Sequence, residues 1–221
     1  MRKKAVCIMS GGMDSTLAAY MMRDEGYEII GLHFNYEQRT QTKELEAFNA
    51  ICKELDINDP YVVNLDFFSD IGASALTDKN IDVPVSGIEE GVPVTYVPFR
   101  NGIFISLATA IAEKEGAELL VIGVVEEDSS GYPDCREAYI TSMQQSINLG
   151  TKDETVLQIK MPLVHLKKSQ IVRESLNRNV ALELTWSCYQ SEEKACGVCD
   201  SCRLRLNGFK QAQATDPIAY A

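Results

Sequence analysis

The chain has 221 residues, 45% hydrophobic and 24% charged, a globular balance that excludes a collagen, a low-complexity chain or a largely disordered one. At about 150 residues per domain it reads as one domain with elaborations, and nowhere do the roughly 18 apolar residues of a bilayer span run together. Acidic residues outnumber basic ones 32 to 21, for a net charge of -11. That is a poor balance for tracking a nucleic-acid backbone, where affinity comes from clustered Lys and Arg, although a local pocket can still be positive enough to hold a small anion.

The basic start Met1-Arg2-Lys3-Lys4 is followed by an apolar run, 5–9, too short for a signal-peptide core. A cytoplasmic location is therefore expected. The run itself reads as a buried parallel strand ending at Ser10-Gly11-Gly12. Leu17, Ala18, Met21 and Met22 then share one helical face over 15–25, and Gly26 stops it. Strands follow at 28–34 and 61–65, around a helix at 40–55 that carries Leu45, Phe48, Ile51, Cys52 and Leu55. Further helices are predicted at 101–115, 135–149 and 169–176, and further strands at 118–125 and 156–161. This alternation predicts an α/β fold, a doubly wound parallel sheet covered on both faces with right-handed crossovers. Ligands in such sheets sit beyond the carboxyl ends of the strands. Two segments break the repeat. Residues 66–100 form a long irregular connection containing Pro84, Gly87, Gly91 and Pro93. The tail from Thr185 onward divides the chain into an α/β unit at 1–184 and a C-terminal segment at 185–221, packed together as one structural unit.

The first chemical signal is Ser10-Gly11-Gly12-Met13-Asp14-Ser15-Thr16, placed between strand and helix. Glycines bring backbone amides close to an anion, the helix start adds free N–H groups and a positive dipole end, and the hydroxyls add donors. The result is a phosphate cradle. It lacks the Gly-Lys-Ser/Thr of the Walker loop and the third glycine of the dinucleotide fingerprint. A plain glycine turn with Asp14 or Ser15 as helix cap is the bland alternative. The loop has no cation of its own; Arg39, Arg100, Lys167 and Lys168 flank predicted sheet ends, and Arg100, next to Asn101 at a helix start, is the strongest candidate.

The second signal is Cys188-x7-Cys196-x2-Cys199-x2-Cys202. Two-residue spacers aim neighbouring sulfurs at one tetrahedral ion, and Gly197 allows the turn. Four thiolates leave no open position for water, which suits a structural zinc; an iron–sulfur cluster is the rival. The remaining cysteines are scattered, and in a reducing compartment the cluster is not a pair of disulfides.

The third signal is Ser129-Ser130-Gly131-Tyr132-Pro133-Asp134-Cys135-Arg136, a loop after a strand that gathers a ring, a carboxylate and a guanidinium. By itself it is equally a turn with Asp134 as a cap. His33 and His165 read as core or sheet-end residues, and no Ser–His–Asp constellation is supported.

Ser-Gly-Gly-Met-Asp-Ser resembles the pyrophosphate loop of the N-type ATP pyrophosphatases. Taken with Val97-Pro98-Phe99-Arg100-Asn101, the Ser130 to Arg136 loop, Cys196-Gly197-Val198-Cys199-Asp200-Ser201-Cys202-Arg203, Gly208-Phe209 and Asp216-Pro217, the chain is similar to the 7-cyano-7-deazaguanine synthase family over 6–220. The resemblance implies an adenine-nucleotide alpha-hydrolase-like fold with one zinc. It implies a ligase that adenylates 7-carboxy-7-deazaguanine, uses ammonium as the nitrogen source, and releases AMP and pyrophosphate on the route to queuosine. ATP, zinc and magnesium are the implied cofactors, and a homodimer that binds neither nucleic acid nor membrane the implied assembly. Ser10 to Thr16 would hold the pyrophosphate, with Asp14, Ser15, Arg100 and Lys167 catalytic. Tyr132, Asp134, Arg136 and Asn101 would meet the deazaguanine acid: Tyr132 by stacking, Asp134 through its N1–H and amine, Arg136 through its carboxylate. The family pattern has glycine where Glu37 stands, histidine at Thr40 and a smaller residue at Phe99; Glu37 has to point outward for the neighbouring loop to tolerate phosphates.

Three other readings share parts of these signals. A transfer-RNA thiolase uses the same loop, but the acidic charge and the lack of a basic extension oppose it. An NAD synthetase needs no terminal zinc site. A zinc-binding interaction module would leave the phosphate loop without a purpose.

Overall fold

The computed structural model describes residues 2–85, 91–126 and 131–221. Gly87 of the irregular connection, and Ser129 and Ser130 of the third motif, lie outside the described residues.

Five parallel strands run in the order β3-β2-β1-β4-β5: β1 Lys4–Ile8, β2 Glu28–Asn35, β3 Tyr61–Asn64, β4 Leu119–Ile122 and β5 Gln158–Lys160. Strand β1 is central, with Cys7 opposite both Gly31 and Val121. Alternate side chains of β1 feed two cores, as the period of two requires. Ala5 and Cys7 join Leu17 and Ala18 of α1 (Met13–Asp24), Phe48 and Ile51 of α2 (Gln41–Glu54), and Ile171 and Val172 of α6 (Lys168–Asn177). Val6 and Ile8 join Phe104, Ile105 and Ala108 of the helix that returns to β4. The sheet is thus doubly wound, and the reversal of strand order between β1 and β4 opens a crevice at their carboxyl ends, where ligands of such sheets bind.

Several elements differ in extent from the sequence reading. Helix α1 begins at Met13 with Gly12 as its cap, so neither Asp14 nor Ser15 serves as cap and both belong to its first turn. Strand β4 stops at Ile122 because Gly123 presses on α1: a Cβ there would lie 2.8 Å from the Cα of Ser15. The helix expected at 135–149 divides into a 3-10 turn, Pro133–Cys135, and α5, Glu137–Gly150. Within 66–100 lies a short helix α3, Phe67–Ile71, and α4 (Arg100–Glu115) follows directly.

Residues 75–83 of that connection are tied down. Arg39 donates to the carbonyls of Ala75, Asp78 and Ile81, and Ala75 and Val83 pack with Trp186 and the cysteines in a third small core.

The C-terminal segment holds α6 (Lys168–Asn177) against α7 (Asp200–Ala212), a helix the sequence reading did not predict. Arg205 of α7 is buried and forms two bonds to Asp216, at 2.7 and 2.9 Å, while Tyr220 donates to the same carboxylate. Residues 219–221 pair with Ala195 beside the cysteines. No described helix is long and apolar enough to cross a membrane.

Candidate active site

A cavity of about 270 Å³ opens at the carboxyl ends of β1, β2 and β4. One end is the phosphate loop. Gly11 takes a φ of +82° and lies so close to α2 that a Cβ would come within 2.6 Å of the Glu44 carbonyl oxygen. Only glycine fits there. The loop is braced from within: Ser10 N–H donates to Ser15 Oγ at 3.2 Å, Gly12 N–H donates to Ser10 Oγ at 3.2 Å, and Thr16 donates to the Gly12 carbonyl at 2.8 Å. Ser10, Gly12, Met13, Asp14 and Ser15 line the cavity, whereas Gly11 and Thr16 shape it from behind. The start of α1 therefore faces the cavity with its positive dipole end and with the N–H groups of Met13 and Asp14, for which no acceptor stands among the described residues.

The cation at this end is Lys168, not Lys167. Lys168 Nζ lies 2.7 Å from Asp14 Oδ2, and its buried stem passes Gly208 of α7, where a Cβ would meet it at 2.6 Å. Lys167 caps α6, its N–H donating to Gln170 Oε1, and its side chain is exposed outside the cavity. Asp14 Oδ1 is buried with no hydrogen-bond partner among the described residues.

The opposite end is aromatic. Arg100 begins α4 and donates to the Tyr36 hydroxyl at 3.0 Å, with its guanidinium 5.5, 5.7 and 5.9 Å from the ring centres of Tyr36, Phe104 and Tyr132. No carboxylate of the described residues forms an ion pair with it. A planar cation held by rings keeps its donors for an anion. Burial pushes the Tyr36 phenol up to about 12, so it stays a neutral hydroxyl. Tyr132 is buried and donates to Thr95 Oγ1 at 2.9 Å. From the C-terminal segment, Tyr189 meets Tyr132 on this side, while Trp186 borders the phosphate loop, its backbone N–H donating to the Gly11 carbonyl at 2.9 Å.

Asp134 and Arg136 stand elsewhere than the sequence reading put them. Asp134 is buried outside the cavity lining; its Oδ2 accepts the Asn101 N–H at 2.9 Å, and the Asn101 amide reaches back to the Asp134 carbonyl at 3.3 Å. The carboxylate thereby caps α4 from a separate segment. Arg136 is exposed at the start of α5, beside a smaller recess next to the main cavity. Asn101 and Tyr132 do line the cavity. Residues that the sequence reading missed are Tyr36, Gln38, Glu44, Phe104 and Tyr189. Glu37 is exposed with φ +59°, a conformation that fits the glycine of the related pattern, and it points away as required. His33 is buried, its Nδ1 2.9 Å from the Met9 carbonyl, while His165 is exposed and lies 3.2 Å from Glu137.

The four cysteines converge behind this wall. Their sulfurs all lie within 4.8 Å of one another, with Cys196 and Cys202 3.9 Å apart. A tetrahedron of 2.3 Å zinc–sulfur bonds has edges of about 3.8 Å. The backbone N–H groups of Gln190 and Cys196 point at Cys188 Sγ, and that of Cys199 at Cys196 Sγ, each at 3.4 Å, as thiolate ligands require. The set fits one zinc; the multi-iron clusters of the rival reading space their ligands farther apart. A zinc held there would tie α7 to the loop that carries Trp186 and Tyr189, and its four sulfur ligands would leave no position for chemistry.

Comparisons with known proteins give the family and the fold. The family profile described as queuosine biosynthesis protein QueC matches residues 4–213. Proteins named 7-cyano-7-deazaguanine synthase are similar over nearly the full length: 71% identity over 218 residues in Sulfurimonas denitrificans, covering 99% of this chain and 97% of that one. In Sulfurovum sp. the identity is 70% over 220 residues, covering 100% and 99%. Among solved structures, the U34-tRNA thiolase NcsA from Methanococcus maripaludis with its [4Fe-4S] cluster shares the fold at TM-score 0.53 and 15% identity, over 96% of this chain and 64% of that one. NMN synthetase from Francisella tularensis does so at TM-score 0.52 and 16% identity, over 97% and 79%.

Proposed function

The chain belongs to the QueC family of queuosine biosynthesis proteins, and from that premise we propose that it is a ligase converting 7-carboxy-7-deazaguanine and ammonia to 7-cyano-7-deazaguanine. The observation that carries the reading is one cavity with a lysine-backed phosphate cradle at one end and an arginine boxed by aromatic rings at the other. Bound ATP supplies the leaving group: a carboxylate oxygen attacks the α-phosphorus and pyrophosphate departs. Ammonia then displaces AMP to give the amide, and the same activation at the amide oxygen, followed by loss of AMP and protons, leaves the nitrile. Each carboxylate oxygen leaves as an oxygen of AMP, so two ATP are used per product.

The residues divide this work. Amides and hydroxyls of Ser10 to Ser15 bind the pyrophosphate oxygens, and Lys168 neutralises the charge that gathers there. Asp14, held by Lys168 at 2.7 Å, is the carboxylate that would hold the magnesium accompanying ATP, an ion that would supply positive charge to the phosphate oxygens. Arg100 holds the substrate carboxylate, and Tyr132, Tyr36 and Phe104 wall the base. The rate comes from holding the oxygen in line with phosphorus. Asn101 positions Arg100 by its clasp with Asp134. The protein acts in the cytoplasm as two copies and without nucleic acid, in keeping with its charge of -11.

Mass spectrometry of the product from the carboxydeazaguanine tests the reading, with the nitrile, AMP and pyrophosphate expected. ADP and phosphate as products would reject it. Sedimentation of the purified protein tests the two-copy state.

A further inference from the structure

We propose that Glu44 is the residue that reads the base, its carboxylate accepting the N1–H and the 2-amino group of the deazaguanine acid. The assignment rests on the ligase reading above and adds to it what selects the substrate.

Two carboxylates stand among the described lining residues, Asp14 and Glu44. Asp14 is engaged by Lys168 at 2.7 Å. Glu44 has no Lys or Arg partner among the described residues and lies half-buried in the first turn of α2. It is aimed by neutral donors. Gln38 Nε2 donates to Oε2 at 3.1 Å, and the Thr40 hydroxyl, whose single proton lies between Glu44 Oε1 at 2.8 Å and the Cys188 carbonyl at 3.1 Å, borders the other oxygen. The Gln38 amide cannot turn over, because its own Oε1 accepts the Tyr36 N–H at 2.9 Å. An ionised carboxylate offers about four lone-pair directions. At most two are used, so at least one on each oxygen is left for a ligand.

The reaction places two ring systems in one cavity, an adenine and a deazaguanine. They differ along one edge. Adenine presents a donor beside an acceptor, so a carboxylate meets its N1 lone pair with repulsion. The deazaguanine acid presents two adjacent donors, which match the two oxygens of a carboxylate. Gln and Asn match this edge less well, because each sets an NH2 donor beside its one acceptor oxygen, and that donor would face the second N–H of the base. Glu44 is therefore a sorting element, drawing one base and turning the other away. Asp134, the carboxylate that sequence spacing suggested for this task, is occupied at the start of α4.

A purely structural Glu44 would do no more than brace the loop from Tyr36 to Thr40. The two roles separate in a cycle of kcat/KM values with two proteins and two substrates. The proteins are wild type and Glu44→Gln; the substrates are the acid and its analogue lacking the 2-amino group. Wild type is expected to lose roughly 10- to 100-fold on the analogue. Glu44→Gln is expected to lose a similar factor on the parent acid and no more than about 2-fold further on the analogue, because the contact is already gone. Its KM for ATP and its melting temperature should stay near the wild-type values. Glu44→Asp, a second variant that keeps the charge, should retain part of the preference for the 2-amino group. Losses that simply multiply would overturn the assignment, since Glu44 would then act on both substrates alike. A wild type that makes no nitrile from either acid would instead reject the ligase reading, and this assignment with it.

Discussion

The two ends of the cavity are built by different means. At the phosphate end the ligand-facing groups are backbone amides and short hydroxyls from one continuous stretch, Ser10 to Ser15, fixed by a glycine that nothing larger can replace. At the end where we propose the base binds, the lining groups are side chains from four separated regions: Tyr36 and Glu44, Arg100 and Phe104, Tyr132, and Tyr189. A backbone-built cradle accepts any polyphosphate and is intolerant of steric change. A side-chain-built wall selects its ligand and can be altered one group at a time.

The largest effect should come from Gly11→Ala. Its Cβ would strike the backbone of α2, and its φ of +82° is strained for alanine. We expect a loss of about 2 kcal/mol of stability and of pyrophosphate release with every substrate, read by calorimetry and a pyrophosphate assay. Next, Asp14→Ala should fold normally and lose about 100- to 1000-fold in kcat; retained activity would mean that the Lys168 pair does not face the reacting phosphates. Cys199→Ser should lower bound zinc and melting temperature together, and zinc loss at unchanged stability would argue against a structural ion. Arg100→Lys should raise KM for the acid by roughly 10-fold and leave KM for ATP near its original value. Equal effects on both would erase the distinction between the two ends.

The smallest effect concerns pH. Burial raises the Asp134 carboxyl above its ordinary value, so the folded protein binds that proton more tightly than the unfolded chain does. The stability contributed is complete below the unfolded pKa and is lost as pH rises through the folded one. Asp134→Asn should flatten this slope in melting curves taken across the acidic range.

What could be read in advance follows the same division. The cradle and the cysteine set depend on local spacing, so contiguous residues announce them. The base end depends on which side chains the fold turns inward. Lys167 and Lys168 are neighbours, and a step of one residue at the start of α6 rotates the side chain by about 100°, enough to exchange cavity for solvent. Choosing between Asp134 and Glu44 required knowing that Asp134 caps α4, a contact between segments far apart in the chain. Helix α7 escaped notice for a related reason: Arg205 interrupts its apolar face, yet it is buried there because Asp216 neutralises it.

Helix α7 also has a mechanical meaning. It is rooted in sulfur at Cys199 and Cys202, and Gly208 presses against the stem of Lys168 two turns farther along. Withdrawal of the ion would slacken that lever and let the ammonium drift from the cradle, so metal starvation should blunt turnover even though no zinc orbital takes part in the reaction.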